Sequence, residues 1–455
     1  MDGDINMDMR TRARSLLVRG VLLLGGLALF AIVINLSWFD ESLHPDIAQL
    51  SELTPVALEN NAYPLIHGFS AADDKDPRAA GLAIIEALRA RYRRGLPINL
   101  SDDEMAGILG GSSLDEAWQA RFESLRCNSR LSLGCADDLL AEIASGPTND
   151  ARLPVLLARY EQILRATRFE ENQEFDATTP IPDYGLLMTA GRVRLAMRYH
   201  SESTADFIRS VAADLAFWRR MLRDGQSLIA KMVGLAGIRN DVELLSALMR
   251  NRDLGTDDVV SIERVVPALS DDERDIGEAF VAELRVVLLS GKAVALMPPD
   301  PSWVTRLLLQ ERATLNEFYL TSVVPIRLRA TLGPAAFYEQ RGFERLTYDV
   351  RAFPPPLYNL GGKLLLKRQA RAYNVQDYIS RVHDLDGRLT LVALQAEIEQ
   401  NPGRSVQSIV DASAHRNPYT RQPMHYDPDA GTIGFDCLAD NQNDVCAVAI
   451  VSRRR

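Results

Sequence analysis

The chain has 455 residues, of which 47% are hydrophobic and 25% charged, and its formal net charge at pH 7 is −10. These values are close to those of an ordinary globular protein, so they exclude a mainly disordered or fibrous chain. The acidic balance argues against a nucleic-acid-binding surface over the whole molecule, because such affinity rests on Lys and Arg. We therefore expect a packed protein with no nucleic-acid partner, long enough for two or three domains or one large helical one.

An uncharged run from Gly20 to Phe39 stands near the start of the chain. At about 1.5 Å per residue, a helix of this length measures about 30 Å, the hydrocarbon thickness of a bilayer. Arginines precede the run and acids follow it, so the positive-inside rule places the N-terminus in the cytoplasm. The sequence predicts a single-pass transmembrane helix over residues 20–39, preceded by a cytoplasmic stub over residues 1–19.

The sequence disfavours two alternatives to a membrane anchor. A cleaved signal peptide has a similar basic start, but it requires small residues before the cut, where this chain has Asn35. Trp38 and Phe39 are instead typical of an interfacial aromatic anchor. A buried core helix is disfavoured by the charge asymmetry around the run. The anchor is therefore the favoured interpretation.

The basic residues are nearly all Arg, and this Ala/Leu/Arg-rich usage indicates a GC-rich bacterial genome. The compartments would then be the inner membrane and the periplasm of a Gram-negative cell. Four cysteines fall into two local pairs, Cys127 with Cys135 and Cys437 with Cys446. Two short-range disulfide bonds are expected in an oxidising compartment, whereas a zinc site would need closer spacing or a nearby His.

Helical spacing dominates the chain after the anchor. Residues 40–76 read as a juxtamembrane tether, residues 77–352 as a helical periplasmic domain of packed α-hairpins, and residues 353–455 as C-terminal helices with a β-hairpin. The predicted helices up to residue 331 lie at about 77–94, 101–109, 113–125, 136–145, 149–167, 184–199, 203–224, 226–250, 270–291 and 303–331. The predicted fold class is thus mainly α.

Three successive prolines at 354–356 mark the boundary before the last part of the chain. Two more helices are predicted beyond it, at 364–379 and 385–398. The pattern then changes to apolar alternation around a turn at 427–431, which predicts a β-hairpin, with a third strand at 445–451 stapled by Cys437 and Cys446. This small β element should pack on the helical body, because an isolated hairpin is marginal in water.

Residues 417–426 carry the pattern Asn-Pro-Tyr-Thr-x-x-Pro-x-x-Tyr. This segment resembles one at the C-termini of uncharacterised single-pass bacterial envelope proteins, and residues 61–77 and 227–231 are similar to the same proteins. The resemblance covers little of the chain and implies an envelope location without any activity. Membership of the pseudopilins is rejected, because the start of the apolar run lacks their Phe-Thr-Leu-Ile-Glu pattern.

Three patterns suggest chemistry, and each has a structural explanation. Ser227 and Lys231 share a helix face, as a Ser-Lys nucleophile requires, but Ser227 also stands at a helix N-cap position. The Gly-Gly-Lys at 361–363 lacks the flanking residues of a phosphate-binding loop. The pair Phe217 and Trp218 reads as a helix face more readily than as a sugar platform.

Metal ligands with catalytic spacing are not found in the sequence. His415 and His425, with Asp427 and Asp429, are the nearest approach to a cluster, yet these aspartates also suit turn amides. The Asp-x-Asp-x-Gly at 427–431 lacks the later Glu of a calcium loop. We therefore predict no cofactor and no metal, and the catalytic residues, if any, stay unknown.

The sequence shows no recognisable catalytic or metal-binding motif. This favours a non-enzymatic cell-envelope interaction or assembly protein, anchored in the inner membrane with its helical domain in the periplasm. The expected partner is another envelope protein, with the membrane contacted through residues 20–39 and the oligomeric state open. The alternative is a periplasmic hydrolase acting on peptidoglycan or peptides, because a single catalytic Glu cannot be recognised without a pocket.

Overall fold

The computed structural model describes residues 2–35, 37–50, 56–96, 98–110, 135–145, 152–171, 179–289, 309–340, 358–372, 375–439 and 446–450. The described chain is mainly helical, as predicted, and carries a small antiparallel sheet. It divides into two compact units. Unit 1 comprises Met1–Glu52, Ser290–Val324 and Glu344–Tyr373, and unit 2 comprises Leu53–Leu289, Pro325–Phe343 and Asn374–Arg455.

The elements are numbered here in chain order. The helices are α1 (Asp2–Ile34), α2 (Pro45–Leu50), α3 (Ala62–His67), α4 (Pro77–Arg93), α5 (Asp102–Leu109), α6 (Cys135–Ser145), α7 (Leu153–Arg165), α8 (Tyr184–Ser201), α9 (Thr204–Asp224), α10 (Leu228–Asn251), α11 (Thr256–Val265), α12 (Asp271–Arg274), α13 (Gly277–Leu289), α14 (Glu311–Phe318), α15 (Val324–Ala330), α16 (Pro334–Glu339), α17 (Leu360–Ala372), α18 (Val375–Gln400) and α19 (Val406–Ala412). A 3-10 turn spans Ser37–Phe39, and a π-helical turn, Tyr319–Val323, joins α14 to α15. The strands are β1 (His425–Asp427), β2 (Thr432–Gly434) and β3 (Ala447–Ala449).

Unit 1 contains the N-terminal helix and the residues that follow it. The part of α1 from Ser15 to Ile34 is long and apolar enough to cross a membrane. Residues 40–42, the first of the predicted tether, pack along α14. The Asp40 carboxylate accepts from the amides of Arg312 and Ala313, both at 3.0 Å, and so caps the N-terminus of α14. Asn316 continues this contact, since its side chain donates to the carbonyl of Ser42 at 2.9 Å.

Capping side chains fix several helix starts in unit 2. Asp76 caps α4, with Pro77 in the first turn, and Ser270 forms a capping box with Glu273. The predicted helix 270–291 is nevertheless two helices, α12 and α13, because Asp275 leaves the helical conformation and its carboxylate accepts from the Gly277 amide at 2.7 Å. The helix α11 had no predicted counterpart.

The C-terminal helices begin and end elsewhere than predicted. The helix α18 runs unbroken through 380–384, where the sequence placed a break, and its apolar residues are buried along most of its length. The predicted helix 113–125 lies outside the described residues. The domain boundaries drawn at residues 76 and 352 stay predictions.

A close helix crossing in unit 2 depends on two glycines. A Cβ atom on Gly81 would lie 1.7 Å from the backbone oxygen of Pro64, and one on Gly68 would lie 1.9 Å from that of Pro77. Both contacts are with backbone atoms, which cannot move aside as a flexible side chain would. The two missing side chains therefore set the distance between α3 and α4.

We expect Gly81→Ala to lower the free energy of unfolding by about 1 to 3 kcal/mol, the usual range for an overpacked core. Gly107→Ala is the matched control, because a Cβ on that helical glycine would meet nothing within 4 Å. Its better helix propensity should leave stability unchanged or raise it by up to about 1 kcal/mol. Urea unfolding followed by circular dichroism measures both changes, and equal effects would contradict the close crossing.

The predicted β element is confirmed. Strands β1 and β2 pair antiparallel around the turn, and β3 pairs with β2, with Ile433 opposite Val448. The sulfur atoms of Cys437 and Cys446 lie 2.18 Å apart, at disulfide distance. Cys135 is also disulfide-bonded, while Cys127 lies outside the described residues, so that pairing stays a prediction.

The sheet packs on α18, as expected. The ring of Phe435 is buried against Gly387 on α18 and lies 6.0 Å from the ring of Tyr419, measured between centroids. We expect Phe435→Ala to lower the free energy of unfolding by about 3 kcal/mol, because it leaves a cavity under the sheet. An unchanged melting temperature, with phenotype lost instead on replacing the exposed His425, would show that the element is a functional site and not a packed one.

Candidate functional site: the turn between α9 and α10 and its cleft

Ser227 and Lys231 are the strongest chemical pair suggested by the sequence, and the structure places both at the start of α10. Ser227 is the N-cap, and its hydroxyl accepts from the amide of Ala230 at 3.0 Å. The same hydroxyl donates to the carboxylate of Glu171 at 2.7 Å. The hydroxyl is thus directed at a carboxylate and a backbone amide, and it does not form the Ser-Lys nucleophile.

Glu171 holds the N-terminus of α10 from the opposite side. This buried carboxylate accepts from the backbone amides of Gln226 and Ser227, both at 2.7 Å, in addition to the Ser227 hydroxyl. The first amides of a helix have no intrahelical partner and carry partial positive charge. A carboxylate is therefore well suited to this position, and burial raises the pKa of Glu171 despite these bonds.

Lys231 stabilises the C-terminal end of α9, as Glu171 stabilises the N-terminus of α10. Lys231 is 2% exposed, and its ammonium donates to the backbone carbonyls of Leu222 at 2.9 Å, Arg223 at 3.1 Å and Asp275 at 3.0 Å. The last carbonyls of a helix carry partial negative charge, so a buried cation satisfies them. Burial lowers the pKa of Lys231, and nearby acids led by Asp275 oppose this.

A second carboxylate supports the same helix start. The amide of Leu228 bonds to Glu283 on α13, and burial raises the pKa of Glu283, with the charge of Glu171 adding to the effect. The turn at residues 224–227 is therefore fixed by buried charges of both signs, each placed against the helix end that it complements. We call Glu171, Ser227, Lys231 and Glu283 the turn cluster.

Lys231 of the turn cluster, together with the turn that the cluster fixes, lines one side of a cleft in unit 2. The cleft has a volume of about 570 Å³, much larger than the two cavities of about 20 and 30 Å³ beside α18. Those two hold little more than a water molecule each. The cleft is lined by the turn, by the α12–α13 connection and by one face of α13, and its lining residues are Arg223, Asp224, Gly225, Gln226, Lys231, Asp272, Asp275, Glu278, Val281, Ala282 and Arg285.

The charged residues of the cleft include both signs. Arg223 and Asp224 form an ion pair at 2.7 Å on the rim, and Glu278 pairs with Arg327 at 2.5 Å. Asp275 accepts from the Gly277 amide. Asp272 is exposed, and burial lowers the pKa of Arg285 on the opposite side. Such a surface can bind a polar, charged chain by hydrogen bonds and ion pairs.

The arrangement does not favour bond cleavage. A Ser-Lys mechanism needs a neutral amine beside the hydroxyl, whereas the Lys231 ammonium is bonded to three backbone carbonyls. An acid–base mechanism needs a carboxylate open to substrate. Glu171 has both of its oxygen atoms on the turn, so its bonds are those of a structural group.

The other patterns singled out in the sequence have structural roles. The carboxylate of Asp427 accepts from the amides of Asp429 and Ala430, so it stabilises the hairpin turn. Within the described ranges, the group with metal-ligand spacing is Asp384 with Cys437 and Cys446, whose sulfurs are joined to each other.

Two further patterns are resolved by burial. Lys363 is buried within unit 1, where the Gly-Gly-Lys begins α17 instead of forming a phosphate loop. Phe217 and Trp218 are also buried, with ring centroids 4.7 Å apart, so they are core residues and cannot offer a sugar platform. The sequence assigned them to a half-exposed face, which underestimates their burial. The Arg453–Arg455 tail lies outside the described residues.

Sequence reasoning missed the most unusual buried charges. Asp214 and Asp241 lie on the facing sides of α9 and α10, both nearly inaccessible to solvent. The hydroxyl of Tyr160 donates to Asp214 at 3.0 Å, and the Arg194 guanidinium lies 3.4 Å from the same carboxylate. The sequence did contain a signal for Asp214. This acid lies between Val211 and Leu215 on the buried face of α9, where the helical pattern calls for an apolar residue.

Comparison with protein families, with curated proteins and with solved structures finds no match for this chain.

Proposed function

We propose that this chain is a membrane-anchored, non-enzymatic binding protein of the bacterial envelope, and that the cleft beside the turn cluster receives a charged segment of a partner protein. The observation that supports this best is the bonding of the turn cluster. The Ser227 hydroxyl bonds to Glu171 and the Lys231 ammonium bonds to backbone carbonyls, while the adjacent cleft is open and carries charges of both signs. These contacts favour binding over a Ser-Lys cleavage mechanism.

Site-specific photo-crosslinking in cells tests this proposal. A benzophenone amino acid at Asp272, exposed in the cleft, should give a discrete protein adduct, whereas the same group at exposed Gln407 on α19 should not. Glu278→Lys in the cleft should reduce the Asp272 adduct strongly. Asp257→Lys is the matched control, because it reverses an exposed acid on α11 outside the cleft lining.

Two results would contradict the proposal. One is an adduct that forms equally at both crosslinking positions. The other is release of soluble fragments from purified peptidoglycan by the full-length protein, with loss of that activity in a cleft variant such as Asp275→Asn. The second result would establish the hydrolase alternative.

The proposed orientation places the N-terminus in the cytoplasm and the rest of the chain in the periplasm. It is supported by the arginines in the first part of α1 and by the acids that follow the helix, together with the apolar span Ser15–Ile34. A reporter that is active only in the oxidising exterior, fused after Arg455, should be active. Activity of a cytoplasm-specific reporter at the same position, or recovery of a mature chain lacking α1, would show that the anchor is wrong.

A further inference from the structure

Within unit 1, the exposed part of α1 gives way abruptly to buried residues. The side chains from Ser15 to Val33 are mostly exposed, whereas Asn35 is 2% exposed. The side-chain amide of Gln310, at the start of α14, donates to the carbonyl of Ile34 at 3.4 Å. The apolar helix therefore passes directly into the folded body at Ile34 and Asn35.

The length of the apolar helix leaves little room between that body and a bilayer. The sequence predicted an uncharged span to Phe39, but α1 ends at Ile34. Its uncharged part, Gly20 to Ile34, is only about 22 Å long at about 1.5 Å per residue, short of the roughly 30 Å of hydrocarbon. A membrane span that begins at Ser15 would be long enough, but it would include Arg19, whose charged end would then have to reach the lipid headgroups. In either case the hydrocarbon layer would end near Ile34 and Asn35, where the buried part of unit 1 begins.

Exposed apolar side chains surround this point. Trp38 is 87% exposed and Phe39 52%, and both follow α1 directly. The Tyr358 hydroxyl donates to the Phe39 carbonyl at 3.0 Å, which places the start of α17 beside them. Leu364, one turn into α17, is 60% exposed. We call Trp38, Phe39, Tyr358 and Leu364 the collar.

We propose that the collar lies in the headgroup layer of the membrane that α1 crosses, so that the part of unit 1 outside α1 is seated on the bilayer surface. The proposal rests on the membrane-spanning assignment made above. Aromatic side chains are favoured at this depth, because one end is apolar and the other can bond to water or headgroups. We expect lipid to cover the collar because the collar continues the lipid-facing surface of α1. The uncharged part of the helix is shorter than the hydrocarbon layer, and this mismatch favours a position of the collar close to the hydrocarbon.

Nitroxide labels on the full-length chain in lipid nanodiscs test the depth of the collar. A single cysteine replaces Trp38 or Leu364 in the collar. Two reference variants carry the cysteine at Leu24, which should face lipid, or at Gln407, which is exposed and should face water. Labelling is done without reductant so that the Cys437–Cys446 bond is kept. Accessibility to oxygen, which partitions into lipid, is compared with accessibility to a water-soluble nickel complex. We expect the oxygen-to-nickel ratio at Trp38→Cys and Leu364→Cys to be several-fold above that at Gln407→Cys.

The other outcomes overturn the proposal in distinguishable ways. An aqueous ratio at Leu364→Cys, with a lipid ratio at Leu24→Cys, would mean that unit 1 stands away from the bilayer although α1 spans it. Labels at both collar positions that are shielded from oxygen and nickel alike would mean that protein covers the collar. An aqueous ratio at Leu24→Cys would remove the membrane span itself, and with it the localisation proposed above.

Discussion

Lys231→Met should lower the free energy of unfolding by about 3 kcal/mol or more, because three backbone carbonyls each lose a charged donor at a cost of about 1 to 3 kcal/mol. The change keeps an apolar side chain of similar length but removes the ammonium. Three backbone carbonyls then lose their donor in a buried place, and Glu171 loses the opposite charge that favours its ionised form. Urea unfolding of the full-length protein, followed by tryptophan fluorescence, measures the loss.

Lys75→Met is the matched control for this prediction. The Lys75 ammonium also donates to helix-end carbonyls, those of Gly107 at 3.2 Å and Ile108 at 2.7 Å. Its contact with Gly107 is exposed, so water can replace the ammonium and the loss should stay below about 1 kcal/mol. Equal losses in the two variants would contradict the role assigned to the buried turn cluster.

Much of the helical part of the fold follows from local sequence. Asp76, Ser227 and Ser270 begin their helices at the predicted positions, because a capping side chain acts on amides only three residues away. The hairpin is equally local, since its turn residues and alternation lie within about ten positions. Such features need no knowledge of the rest of the chain.

The candidate site depends on contacts between distant parts of the chain, which local patterns do not contain. Glu171 stands in a loop that the sequence marks only as irregular, yet its carboxylate meets Ser227, 56 residues later. The capping of α14 by Asp40 joins positions 272 and 273 residues apart. Ser227 and Lys231 were found from their spacing, but their partners, and hence their structural role, required the fold.

The largest pH effect is expected from Asp241. This carboxyl is buried, and among the described residues its Oδ2 atom has no hydrogen-bond partner. Burial raises the pKa of Asp241 well above its ordinary value, and the neighbouring charge of Asp214 raises it further. Burial also raises the pKa of Asp214, to about 7, but Arg194, Tyr160 and Trp218 stabilise its ionised form, so the negative charge of the pair is favoured on Asp214. Asp241 therefore keeps its proton at neutral pH in the folded protein.

The sign of the effect follows from proton linkage. Above a pH of about 4, an unfolded Asp has lost its proton, whereas folded Asp241 retains it until the pH exceeds its raised pKa. The folded state then binds one more proton than the unfolded state. Stability from this group should accordingly fall by about 1.4 kcal/mol per pH unit as the pH rises through that window.

Asp241→Asn should remove this slope, because the amide has the shape of the protonated acid and cannot ionise. The variant should match the parent protein near pH 4 and become the more stable of the two as the pH rises, by about 1.4 kcal/mol per pH unit up to the raised pKa. Chemical unfolding of both proteins across this range gives the two slopes. Asp257→Asn, at an exposed position on α11, should leave the slope of the parent unchanged. Parallel slopes for Asp241→Asn and the parent would show that Asp241 is already ionised in the folded protein.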